Sequence, residues 1–163
     1  MTDKIRGIEC SLYNGKIEEL LLFLSNKPYD FFVRWCMKVD DKNMLLPKSS
    51  HNFQISPYDL KKMASQSIWE LVLHIYPIGS NSQTIETYDD FINSPCICCL
   101  IFYDCGLTDI YVKESNLRDQ LYNLLLSLQA KDIELISERQ GMVLLSLDSS
   151  KKEDRDSSKP LNK

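Results

Sequence analysis

The segment Pro95-Cys96-Ile97-Cys98-Cys99-Leu100-Ile101-Phe102-Tyr103-Asp104-Cys105-Gly106-Leu107-Thr108-Asp109-Ile110-Tyr111-Val112-Lys113 holds four of the chain's six cysteines. Cysteines this dense are either ligands and redox groups, or small soft apolar side chains in a packed strand. Residues 97–104 have strand composition, Asp104-Cys105-Gly106-Leu107 has turn composition with a glycine free to take positive φ, and LTDIYVK continues as a partner strand. The segment therefore reads as a central hairpin. With Cys105-Gly106 as a two-residue loop, Tyr103 pairs with Thr108, Ile101 with Ile110 and Cys99 with Val112. The alternate set is Phe102 with Asp109, Leu100 with Tyr111 and Cys98 with Lys113. In this register Cys99 is core and Cys98 points to the other face.

Strand geometry also limits the chemistry. Successive side chains leave a strand on opposite sides, so Cys98 and Cys99 cannot aim at one ion. Structural zinc needs about four converging ligands, usually from two separated knuckles. Here there is one CxCC, and His51 and His74 are the only histidines. A nucleophilic cysteine needs a base or positive field beside its thiolate. His74, on a strand that neighbours Cys36 or Cys98, is the one arrangement that would supply a base. No GxGxxG, P-loop, HExxH or GxSxG pattern occurs. The expectation is no catalytic residue, no cofactor and no metal. A metal or ligand sensor built on Cys36, Cys98 and His74 is the alternative, and a cysteine-dependent enzyme the third reading.

Working outward, DFFVRWCMKVD at residues 30–40 alternates, with Phe31, Val33, Trp35, Met37 and Val39 on one face. IWELVLHIY at residues 68–76 repeats the pattern with Trp69, Leu71, Leu73 and Ile75, and Pro77 and Gly79 stop it. Residues 4–12 form a weaker strand with Ile8, Cys10 and Leu12 in phase. Helical stripes appear at Ile17, Leu20, Leu21 and Leu24, and at Leu117, Leu121, Leu124, Leu125 and Leu128. Ser56-Pro57-Tyr58-Asp59 opens a short helix to about Ser65, and Thr87-Tyr88-Asp89-Asp90 opens another ending near Asn93. IELISE and MVLLSL flank Arg139-Gln140-Gly141 as a terminal hairpin. Residues 41–53 carry no clear pattern. Hairpins break any βαβ rhythm, so the class is α+β, a mainly antiparallel sheet with helices packed on one face.

A chain of 163 residues suits one domain and can bury roughly 70% of its unfolded surface without disulfide staples. The expected division is a single domain over 1–147 and a disordered polar tail over 148–163, DSSKKEDRDSSKPLNK. The start, MTDKIRGIEC, lacks the apolar run of a signal peptide, and no stretch approaches the roughly 18 apolar residues of a membrane span. Six cysteines are far below the density of a secreted disulfide scaffold. A cytoplasmic protein with reduced thiols is expected. A net charge of -4 and a pI near 5.2 argue against nucleic acid as the main partner.

If helices cover the face with Phe31, Val33, Trp35, Trp69, Leu71, Ile101 and Ile110, the opposite face carries Arg34, Lys38, Glu70, His74, Tyr76, Asp109, Tyr111 and Lys113. Tyrosine and arginine are enriched at protein contacts, so this face is the candidate binding surface for another protein. Glu86, Asp89 and Asp90 sit where a first helical turn favours acids, which makes them capping residues in preference to a cation site.

RGIECSLYNG near the start and YDDFINSPCICCLIFYDCGLTDIYVKE in the middle resemble a small bacterial family, known chiefly from Gram-positive species and labelled only as a domain of unknown function. The resemblance covers most of residues 5–147 and implies a cytosolic bacterial or phage-borne protein, with no catalytic residue to carry over. The function expected is a non-enzymatic interaction domain: an inhibitor, immunity or regulatory partner.

Overall fold

The computed structural model describes residues 5–13, 16–38, 53–66, 68–103 and 106–137. Seven strands and four helices follow in the order β1 (Ile5–Ser11), α1 (Lys16–Ser25), β2 (Tyr29–Lys38), β3 (Phe53–Ile55), α2 (Pro57–Ala64), β4 (Ile68–Pro77), α3 (Tyr88–Ile92), β5 (Cys98–Phe102), β6 (Leu107–Val112), α4 (Ser115–Ser127) and β7 (Lys131–Ser137). The strands form one sheet in the order β3-β2-β4-β5-β6-β1-β7, and every neighbouring pair is antiparallel. The fold is α+β. The expected strand at residues 142–147 and the tail from 148 lie outside the described residues.

The helices begin where the sequence places their caps. Ser56 Oγ accepts from Asp59 N at 3.0 Å ahead of Pro57. At α3, Thr87 Oγ1 accepts from Asp90 N at 3.2 Å while Asp90 Oδ2 accepts from Thr87 N at 3.0 Å, a reciprocal capping box. Asp90 also takes Glu86 N at 3.0 Å, so capping occupies this acid as expected. At the other end of α4, Ala130 N donates to Leu125 O and Gln129 N to Leu126 O, with Gln129 at φ 58. That is a Schellman close with glutamine in the position that favours glycine.

α1, α2 and α4 cover one face. Their Leu20, Leu21, Leu24, Leu60, Met63, Leu117, Leu121 and Leu125 pack on Ile8, Phe31, Val33, Leu71, Leu73, Ile75, Leu100 and Ile110. Gly7 lets β1 lie against β6: a Cβ there would sit 2.0 Å from the Ile110 carbonyl oxygen.

The central hairpin is shifted by one residue from the expected register. Phe102 opposes Thr108, Leu100 opposes Ile110 and Cys98 opposes Val112. Gly106 N donates to Tyr103 O and Tyr103 N donates to Leu107 O, so the loop holds one residue more than a two-residue turn, with Gly106 at φ 87. A one-residue slip exchanges the faces. Cys98 and Leu100 therefore point to the helices, while Cys99 and Ile101 point away. A second shift lies in β2, where a bulge between Val33 and Trp35 turns Trp35 to the far side and brings Cys36 to the helix side.

The far face is also covered. Residues 78–96, which include α3, lie across it and contribute Ile85, Tyr88, Phe91 and Cys96 to a second core with Phe32, Val72, Tyr76, Cys99, Ile101, Tyr103 and Tyr111.

Candidate functional site

The second cover changes the meaning of the expected binding face. His74 and Tyr76 are 0% exposed, Asp109 is 1% exposed and Tyr111 is 2% exposed. Arg34, Glu70 and Lys113 are partly buried, and the side chain of Lys38 lies outside the described residues. Alternation between apolar and polar residues reads as a wet outer face only if nothing lies over it. Here the chain grips itself with the residues expected to grip a partner.

Cations from the sheet hold the cover. The Arg6 guanidinium lies 4.2 Å from the Tyr88 ring centroid, and Arg34 approaches Glu86 at 4.0 Å. Lys113 donates to the Ser94 carbonyl and sits 4.9 Å from the Phe91 ring centroid. The Tyr76 hydroxyl accepts from Gln83 N at 3.1 Å. The Glu70 carboxylate accepts from Trp35 Nε1 at 3.0 Å. Tyr103 donates to Asp109 Oδ2 at 3.3 Å beneath the cover.

His74 is the odd group of this layer. Cross-strand it faces Phe32 and Cys99, and neither ring nitrogen meets a hydrogen-bonding group among the described residues. Burial, reinforced by the Arg34 charge, pulls its pKa down to about 4. The imidazole is therefore neutral at neutral pH.

The cysteines show core chemistry. All five described ones are buried and free. Burial pushes the thiols of Cys10 and Cys96 up to about 12, and those of Cys98 and Cys99 well above their ordinary value. At neutral pH these four carry no thiolate, the form that attacks carbon or binds metal. Cys96 Sγ donates instead to the carbonyls of Ile75 and Cys98, at 3.4 and 3.2 Å. The set Cys36, Cys98 and His74 is not brought together: both sulfurs are in the helix-side core, and the imidazole lies on the opposite face. Among the described residues no group of three or more His, Cys, Asp or Glu side chains is placed to hold a metal ion. None of the described helices is long and apolar enough to cross a membrane.

What the sequence did not mark is β3, one of the two edge strands of the sheet. Among the described residues β3 has β2 as its one neighbour, as β7 at the other edge has β1. A hollow of about 200 Å³ opens between β2, β3 and α2, with Val33, Cys36, Ile55 and Met63 at its base and Asp59 and Lys62 on its rim. Phe53 on β3 is 56% exposed and Tyr58 on α2 is 68% exposed. The hollow is smaller than the roughly 300–1,000 Å³ of a typical small-molecule site and suits one side chain of a visiting segment. The pattern-free run 41–53 hid β3; the exposed aromatics on either side of Ser56-Pro57 were the available signal.

No curated protein and no solved structure matches the chain. A family model described as "Protein of unknown function (DUF2691)" matches residues 35–143, from the middle of β2 past the end of β7; the RGIECSLYNG segment lies outside that match. With most of its length covered by that model, the chain belongs to this family.

Proposed function

We propose that this is a non-enzymatic protein-binding domain, and that it takes an extended segment of a partner at the β3–α2 edge. The observation that carries this is the conjunction of a strand with one neighbour among the described residues, a side-chain-sized apolar hollow and two exposed aromatics, Phe53 and Tyr58. Strand addition supplies backbone hydrogen bonds, and a hollow beside the edge supplies side-chain selectivity. The partner segment is apolar at the hollow, with polar neighbours that meet Asp59 and Lys62. The burial of Cys10, Cys96, Cys98 and Cys99 supports a binding role over the cysteine-dependent enzyme, and the separation of Cys36 and Cys98 from His74 supports it over the sensor.

Site-specific photocrosslinking in cells of the native host tests this. A benzophenone side chain at Phe53 or Tyr58 is expected to yield one discrete adduct, and the same probe at the exposed positions Ile78 or Leu126 none. Capture is expected to survive Arg34→Ala and to be lost in Phe53→Ser. Equal adducts from all four positions, or none from Phe53 and Tyr58, would sink the assignment.

A further inference from the structure

The far face joins two features that a merely structural layer does not need. His74 is a fully buried imidazole with no hydrogen-bonding partner for either nitrogen among the described residues. The segment lying over this face is tied down by cation–ring contacts and an ion pair in which Glu86 is 42% exposed, each a modest interaction.

We propose that residues 78–96 form an acid-released strap: protonation of His74 lifts α3 and its flanks off the sheet while the helix-side core stays intact. A buried imidazolium would need an acceptor or a counter-charge, and among the described residues its ring nitrogens meet no acceptor while the charge acting on it is that of Arg34. On β2 the neighbours are Phe32 and the Arg34 guanidinium, whose charge opposes protonation. On β4 itself the next residue of the same face is Tyr76, and on β5 it is Cys99. From the strap come Glu86, already drawn to Arg34, and the thiol of Cys96, already bonded to two carbonyls. On β6 Asp109 is engaged by Tyr103, with Tyr111 beside it on the same face. Release returns the imidazole to water and exposes the tyrosine-bearing sheet face, which the closed strap conceals.

The sign follows from linkage. A group whose pKa is depressed in the closed state stabilises that state above its ordinary value and loses the advantage as pH falls toward the depressed one. For His74 the window runs from 6.5 down to about 4. Between pH 7.5 and 5.0 the opening constant of the strap therefore rises about 30-fold.

Hydrogen exchange of the full chain, corrected for the intrinsic pH dependence of amide exchange, reads this directly. Peptides from residues 85–96 are expected to exchange about 30-fold faster at pH 5.0 than at pH 7.5, while those from β5 and β6 stay unchanged. His74→Leu should flatten the response. A flat wild-type profile overturns the proposal, as does a rise at 85–96 matched by the same rise at 98–112, which would be global unfolding. Should His74→Leu not fold, the wild-type contrast between these two sets of peptides still decides; if it folds and keeps the response, His74 is not the trigger.

Discussion

On the helix side of the sheet, Leu71, Leu73 and Ile75 of β4 meet the leucines of α1, α2 and α4. On the strap side, Val72, His74 and Tyr76 of the same strand meet Phe32, Cys99, Ile85 and the aromatics around α3. One strand thus enters two cores of different chemistry. The first is aliphatic and closed by long amphipathic helices, whose burial stabilises in rough proportion to apolar area. The second is aromatic and polar, closed by a five-residue helix and its flanking coil. The burial of Ile85, Tyr88, Phe91 and Cys96 is supplemented by cations from the sheet, Arg6 over Tyr88 and Lys113 over Phe91. The lesson is that a polar residue in an alternating strand reports a different neighbour, which can be another part of the chain as readily as water.

The largest break in this comparison comes from the helix side. Leu73→Ala, at a position with no exposure, is expected to lower global stability by about 2–5 kcal/mol, read as a fall in the denaturant midpoint at unchanged slope. A loss well below that range would show the leucine core to be less decisive than its burial implies. A smaller effect distinguishes the strap. Arg6→Ala removes the cation over Tyr88 and is expected to cost about 1 kcal/mol, raising exchange in residues 85–92 about five-fold with little movement of the global midpoint. An equal shift in both readouts would mean that strap and sheet open as one unit. The smallest change serves as the control. Gln129→Gly, at φ 58, is expected to stabilise the chain by a few tenths of a kcal/mol, because the left-handed conformation costs glycine less. It lies at the end of α4 and should leave strap exchange unaltered.

Much of the fold was legible because local rules carried it. The leucine stripes of α1 and α4, the caps at Ser56 and Thr87 and the alternation of β2 and β4 each follow from residues within one element. The misreadings came from two single-residue events. The loop after Tyr103 is one residue longer than Cys105-Gly106 suggested, and the β2 bulge falls at Arg34, inside an otherwise clean alternation. Each exchanged the faces of everything beyond it, so Cys98 moved to the helices and Trp35 away from them. Of the expected binding face, His74, Tyr76, Asp109 and Tyr111 are buried under the strap instead of open to solvent. Ile85, Tyr88 and Phe91 repeat at three-residue spacing, a stripe that needed a surface to cover and was the available sign of the strap.

The sequence by itself determined the order of the described elements apart from β3, the α+β class and the apolar character of the cysteine run, because periodicity, capping and side-chain chemistry act over a few residues. Only the tertiary structure decided which face each strand residue occupies, that both faces are covered, and that a hollow opens between β2, β3 and α2. Register depends on loop length and bulges, where one residue reverses every side chain beyond it. Burial depends on segments distant in sequence: the cover that buries His74 begins four residues after it, while Arg6, Arg34 and Lys113, which hold that cover, come from three other places in the chain.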